Sequence, residues 1–247
     1  FCIDNREISS NFPPYVIAEV SANHNGSIQR AKDTILAAKN AGVDAVKIQT
    51  YTPDTMTIDV ENTDFYIKEG LWKNRSLYDL YREAYTPYEW HEELFKFSND
   101  IGVTLFSSPF DESAVDLLVS LNVPAFKVAS FEVVDLPLIK YIASKKKPIL
   151  MSTGMASLEE IGNAVESAKS AGNQDLALFH CISSYPALIS ESNLNLITIL
   201  RKEFSIQVGL SDHTIGNLAS VVATSLGASM IEKHFTLNRS EGGVDSS

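Results

Sequence analysis

The chain has 247 residues, which fits one large domain or two small ones at roughly 100–200 residues each. Its 45% hydrophobic and 21% charged residues are those of an ordinary globular protein and set aside disordered and low-complexity classes. A formal charge of −11 is a poor match to nucleic acid or an anionic membrane surface, and no apolar run reaches the roughly 18 residues that span a bilayer.

Short apolar runs and helical patterns alternate along the chain. The first strand-like run is 15–19 (YVIAE). A helix is predicted over 27–41, with Ile28, Ala31, Ile35 and Ala38 at helical spacing and Gly42 to close it. The second strand is 44–49 (DAVKIQ), followed by a long connection from Thr50 to Thr86 that shows no regular pattern. Long loops of that kind are often functional. Thr86 and Pro87, with Glu89, read as the N-cap and first turn of the next helix. Then come a strand at 103–107, a helix at 111–121, a strand at 125–129, a helix at 135–144 and a strand at 148–152. The capping box Ser157-x-x-Glu160 opens a helix that ends near Gly172. Strand 176–181, helix 194–203, strand 206–210, helix 216–226 and strand 229–234 complete the series.

Near-continuous apolar runs suit parallel strands covered by helices. Eight of them predict an α/β fold, a TIM (β/α)8 barrel. A doubly wound open sheet is the competing architecture, disfavoured by the strand count and by the lack of G-x-G-x-x-G after the first strand. Seven helices separate the eight strands, and the polar tail LNRSEGGVDSS supplies no eighth. The expectation is a single barrel domain over 1–247 that is an N-terminal fragment of a longer protein, or a barrel closed by something else.

In this fold the chemistry sits at the C-terminal ends of the strands. The first strand ends at Glu19, and the second carries Lys47 and Gln49, two apart and so on one face. The third ends at Ser107 and Ser108, the fourth carries Lys127 followed by Ser130 and Glu132, and the fifth ends at Ser152. The sixth ends at His180 and runs on through Ser183 to Tyr185, and the seventh leads into Ser211, Asp212 and His213. The eighth carries Glu232, Lys233 and His234. Polar side chains at every strand end are expensive in a purely structural barrel. A single strand lysine can also snorkel to the surface; Lys47, Lys127 and Lys233 as a set read as functional. Alternation divides Glu232 and His234 from Lys233, so Lys233 becomes a structural or rim residue if His234 faces inward.

Lys47 and Lys127, ringed by Ser108, Ser130, Ser152 and Ser211, suit a phosphate or carboxylate, and would make the local field positive beneath an acidic exterior. His213 and His234 are candidate ligands for a divalent metal, with substrate or water completing the shell. Gln49, Glu132 and Tyr185 offer the mixed hydrogen bonding of a sugar site. His24, His91 and His180 are given no role. Cys181 reads as an inert packing residue. Cys2 and Cys181 form no disulfide framework, which points to the cytoplasm.

The run IAEVSANHNGS at 17–27 resembles the first-strand signature of the sialic acid synthase family. So do AVKIQTYTPD at 45–54, FSSPFD at 106–111, FKVAS at 126–130 and MSTGM at 151–155. HCISSYP at 180–186, GLSDHT at 209–214 and IEKHF at 231–235 continue the match in order. GLWKNRSLYDLYREAYTPYEWH at 70–91 resembles the branch that makes pseudaminic acid. Ser183 stands where N-acetylneuraminate synthases carry a ligand-binding asparagine, which favours a diamino sugar over N-acetylmannosamine.

The resemblance implies a barrel followed by a small antifreeze-like domain. In a homodimer that domain reaches over the partner's barrel and gives an arginine to the sugar site. It implies a transferase that condenses phosphoenolpyruvate with an open-chain 2-acetamido sugar, releasing phosphate and a nonulosonic acid. By the same resemblance Glu19 handles the attacking water, and Lys47, Ser108, Lys127, Ser130, Ser152, Ser183 and Ser211 bind phosphoenolpyruvate. Gln49, Glu132, Tyr185 and Asp245 bind the sugar, and His213 and His234 hold manganese or magnesium. The alternatives are an N-acetylneuraminate or legionaminic acid synthase, a class I aldolase with Lys127 or Lys47 as the Schiff base, and a non-catalytic sugar or phosphate binding barrel.

Overall fold

The eight apolar runs form the parallel strands of one closed barrel in the computed structural model, which describes residues 1–70 and 72–242. A two-stranded hairpin, β1 (Cys2–Ile3) and β2 (Arg6–Glu7), precedes it. The first half runs through β3 (Tyr15–Glu19), α1 (Ile28–Asn40), β4 (Ala45–Thr50), α2 (Pro53–Met56), α3 (Leu77–Ala84), α4 (Tyr88–Ile101), β5 (Thr104–Pro109), α5 (Glu112–Ser120) and β6 (Phe126–Val128). The second half runs through α6 (Leu136–Ser144), β7 (Ile149–Ser152), α7 (Leu158–Ser170), β8 (Leu176–Cys181), α8 (Asn195–Phe204), β9 (Gln207–Asp212), α9 (Leu218–Ser225) and β10 (Met230–His234). The ring closes where β10 pairs with β3, His234 opposite Glu19.

Local chemistry sets most helix boundaries. Ser27 caps α1, accepting from the Arg30 N–H at 3.3 Å, and Asp111 caps α5, accepting from Ala114 at 3.0 Å. The capping box of α7 forms in both directions, Glu160 N–H to Ser157 Oγ at 3.2 Å and Ser157 N–H to Glu160 Oε2 at 2.7 Å. At α4 the expectation is corrected by one residue. Pro87 is itself the cap, with an extended ψ of 135°, so Thr86 lies before the helix. The helix expected from residue 216 starts at Leu218, because Gly216 takes a positive φ of 85°. The long connection is also more regular than its sequence: it holds α2, α3 and an antiparallel bridge between Tyr66 and Ser76.

The strands bury both faces. Outward residues such as Val46, Leu105 and Leu178 pack under the helices, while Phe106, Leu150, Phe179 and Met230 fill the interior below the site. Gly209 is required in that inner layer, since a Cβ there would stand 2.7 Å from the Met230 carbonyl oxygen.

The hairpin lies across the N-terminal end of the barrel. Asp4 accepts from Thr104, the first residue of β5, at 2.9 Å, and Arg6 pairs with Asp44, just before β4, at 3.5 Å. Ile3 and Ile8 are almost fully buried there. Among the described residues, β10 is followed by a 3-10 turn at Arg239–Glu241 and by no α-helix, and no helix is long and apolar enough to cross a membrane.

Candidate functional site

Strand residues two apart share a face, so each barrel strand delivers a side chain to the mouth. Glu19, Lys47, Gln49, Ser108, Lys127, Ser152, Cys181, Ser211, Glu232 and His234 line one cavity of about 60 Å³, with Ser130, Tyr185 and His213 from the loops. A second cleft of about 40 Å³ adjoins it, lined by Asp212, Thr214, Lys233 and Arg239 among others. Tyr185, His213 and His234 belong to both walls.

The two lysines expected at the mouth are each paired with a carboxylate. Lys47 Nζ lies 2.5 Å from Glu19 Oε2 and 3.8 Å from Glu232 Oε1, and Lys127 Nζ lies 3.7 Å from the same Glu232 oxygen. All four are at most 5% exposed, and buried charge of this kind persists only when paired. Lys47 also donates to Ser108 Oγ at 3.3 Å, and Lys127 to Ser152 Oγ at 2.5 Å. Ser211 Oγ donates to Glu232 Oε1 at 3.2 Å, and Gln49 Nε2 to Glu19 Oε1 at 3.2 Å.

The two carboxylates differ in kind. Burial pushes Glu19 above the ordinary carboxylate range, against the pull of Lys47. Burial would raise Glu232 too, but Lys127 and Lys47 outweigh it and hold the carboxyl below its usual value. Burial lowers Lys127, opposed chiefly by Glu232. The site therefore pairs a carboxyl able to carry a proton with one that stays ionised.

The imidazole pair fits a metal. His213 Nδ1 lies 2.7 Å from the Ile182 carbonyl oxygen, which can only accept, so the proton is on Nδ1; the Nε2 lone pair, 3.3 Å from Ser211 Oγ, is the one a metal would take in place of that hydroxyl. Burial first, then His234, lowers His213 to about 4, which keeps it neutral as a ligand must be. The two rings stand 5.6 Å apart. Among the described residues no group of three or more His, Cys, Asp or Glu could hold a metal, so substrate or water oxygens would complete the shell.

Lys233 leaves the lysine set, as alternation allowed. It turns outward to Asp212 Oδ2 at 3.0 Å and donates to the Thr214 carbonyl at 2.7 Å. Asp212 also accepts from the Thr214 N–H, the Thr214 hydroxyl and the Ser220 hydroxyl, which pins the turn that presents His213.

Ser130 and Ser183 meet around Gly154. A Cβ there would stand 2.9 Å from Ser130 Oγ, 2.8 Å from Cys181 Sγ and closer still to Ser183 Oγ. Cys181 packs as expected but also lines the cavity, 3.1 Å from Ser130 Oγ. Glu132 follows Ser130 in a 3-10 turn (Phe131–Val134); its buried Oε2 has no hydrogen-bond partner, and burial raises the carboxyl to about 7. Tyr185 lies on His213 at 4.3 Å and 31° between ring planes, with its edge toward His234 at 5.6 Å. Asp245 lies outside the described residues.

The histidines without a role are structural. His91 Nε2 bonds Thr50 Oγ1 at 2.8 Å, His180 Nε2 bonds the Ser192 carbonyl at 2.7 Å, and His24 Nδ1 accepts from Gly26 at 3.1 Å. Glu232 is the residue that sequence reasoning left without a role. Its signal was present, because it shares a face with His234.

A model of the NeuB family matches residues 34–247. The pseudaminic acid synthase of Campylobacter jejuni is 48% identical over 232 residues, covering 94% of this chain and 68% of that protein. The pseudaminic acid synthase of Helicobacter pylori is 47% identical over 228 residues, covering 92% and 67%. The crystal structure of the N-acetylneuraminic acid synthetase of Leptospira borgpetersenii, in complex with citrate, superposes with a TM-score of 0.89 at 29% identity, covering 100% of this chain and 81% of that one.

Proposed function

Because the chain belongs to the NeuB family, we propose that it is the catalytic barrel of a synthase joining phosphoenolpyruvate to an open-chain amino sugar. The substrate is a 2,4-diacetamido-trideoxy hexose and the product a nonulosonic acid of the pseudaminic type. The observation that carries this reading is the buried Glu19–Lys47–Glu232–Lys127 cluster, set beneath two imidazoles and ringed by serine hydroxyls.

Lys47 and Lys127, with Ser108, Ser130, Ser152, Ser183 and Ser211, hold the phosphate and carboxylate of phosphoenolpyruvate. Glu232 balances the two ammonium groups while the site is empty. Gln49, Glu132 and Tyr185 orient the sugar, and Asp245 joins them. The C3 carbon of the enol then attacks the aldehyde carbon, whose oxygen takes up a proton to become a hydroxyl; water adds at C2, and the C2–O bond to phosphate breaks as the new C2 hydroxyl gives up its proton and becomes a carbonyl. Glu19, held by Gln49 and Lys47, takes the proton from that water. A divalent cation on His213 and His234, manganese in preference to magnesium for imidazole donors, would supply Lewis-acid stabilisation to the developing alkoxide.

Exposed Phe131, Met155, Leu188 and Ile215, on the loops and turns after β6 to β9, and Leu218 at the start of α9 support a homodimer in which a second copy covers this rim. The free thiols Cys2 and Cys181 and a glycolytic substrate support the cytoplasm.

The test is phosphate release from phosphoenolpyruvate with a panel of 2-acetamido and 2,4-diacetamido hexoses. Turnover with the diacetamido sugar is expected, with no lysine trapped by borohydride. Turnover of N-acetylmannosamine alone would overturn the substrate assignment, and a trapped lysine would overturn the mechanism.

A further inference from the structure

In the ring of eight, β4 and β8 are four places apart and face each other across the barrel axis. Trp72 lies on the connection that leaves β4, and Tyr185 on the loop that leaves β8. Their rings are nevertheless 6.3 Å apart, inclined at 50°. A segment rooted on β4 can touch the β8 loop only by crossing the mouth. The crossing is braced: Ile67 N–H bonds the Arg75 carbonyl at 2.9 Å, Asn74 N–H bonds the Ile67 carbonyl at 2.8 Å, and Arg75 ties back to Glu83 of α3. Trp72 sits in the loop these bonds close. Below it Tyr185 rests on His213, so the indole is the outer member of an aromatic series ending at the imidazole pair.

Resting on the synthase reading above, we propose that Trp72 is a specificity-determining residue for the acceptor sugar. With the sugar's aldehyde at His213 and His234, its far end extends toward the arch. An indole face gives dispersion contact to methyl groups but returns little of the hydration that a hydroxyl loses. The arch therefore selects acceptors that carry a C6 methyl and acetamido methyls in place of hydroxyls.

The test compares wild type, Trp72→Ala and Trp72→Phe with phosphoenolpyruvate and two acceptors, a 2,4-diacetamido-2,4,6-trideoxy hexose and N-acetylmannosamine. In Trp72→Ala the KM for the diacetamido sugar is expected to rise about tenfold, with kcat and the KM for phosphoenolpyruvate within about twofold. The kcat/KM preference for the diacetamido sugar falls correspondingly, and Trp72→Phe restores most of it. An unchanged preference in Trp72→Ala overturns this inference alone, as does a KM for phosphoenolpyruvate that rises in step with that for the sugar. A wild type that releases no phosphate with either acceptor overturns the synthase reading and this one with it.

Discussion

Lys127 and Glu232 face each other at 3.7 Å inside the barrel, both almost completely removed from water. Glu232 serves both lysines, so its removal leaves two buried ammonium groups with Glu19 as their remaining carboxylate. Glu232→Gln is expected to cost about 3–5 kcal/mol in urea unfolding, and Lys127→Met a similar amount. The double variant should recover a large part of that loss, because neither charge is then stranded. Additive losses in the double-mutant cycle would show that the two groups do not interact.

His213→Ala and His234→Ala should each lower kcat by about 100-fold or more and abolish activation by added manganese. A chelator should silence the wild type, and manganese should restore it better than magnesium. Asp212→Asn acts at one remove, by loosening the turn that holds His213. It should weaken metal binding about tenfold in titration calorimetry while the fold survives. Chelator-resistant turnover would contradict the assignment.

Glu132 gives stability a definite dependence on pH. Its carboxyl is raised from 4.5 to about 7, chiefly by burial. The unfolded chain sheds this proton above 4.5 while the folded chain keeps it to about 7, so stability declines as pH rises through that window. Glu132→Gln should therefore be stabilised relative to wild type at about pH 8 and little changed at about pH 5. A difference that is constant across the range would refute the buried, proton-retaining carboxyl.

His24 works in the opposite direction. Burial holds it near 4 against an ordinary 6.5, with Nδ1 committed to the Gly26 N–H. The unfolded imidazole takes up a proton as pH falls below 6.5, while the folded one resists until about 4. Wild type should lose up to about 3 kcal/mol across that interval through this residue. His24→Asn should show a flatter profile in denaturant unfolding between about pH 4 and 7. Equal slopes would remove His24 from the account.

The barrel was legible because each strand is a short apolar run closed by a polar residue, and because alternation orients that residue. Lys47, Lys127, Ser211 and His234 could be placed on that ground. Strand ends were less legible: β4, β5 and β9 each run further than their apolar stretches, to Thr50, Pro109 and Asp212, since pairing in the ladder is made by the backbone and does not need an apolar side chain. The hairpin at the N-terminus was invisible, two residues per strand being too short for any period to register. Glu232 was overlooked beside Lys233, whose charge matched the other lysines although its direction did not. Trp72 lies within the 70–91 motif, but its place at the mouth could not be foreseen. Its meeting with Tyr185 depends on which strands oppose each other across the axis, and no local pattern carries that.

The hairpin that covers the N-terminal end has a further effect on traffic. With Ile3 and Ile8 packed across the floor and Phe106 and Phe179 filling the layer above, the N-terminal end of the barrel is filled with side chains and the mouth is the way in. Whatever enters deepest must leave last. On the synthase reading, phosphate set free among the serines lies behind the newly made acid and departs after it, so inorganic phosphate should compete with phosphoenolpyruvate and not with the sugar.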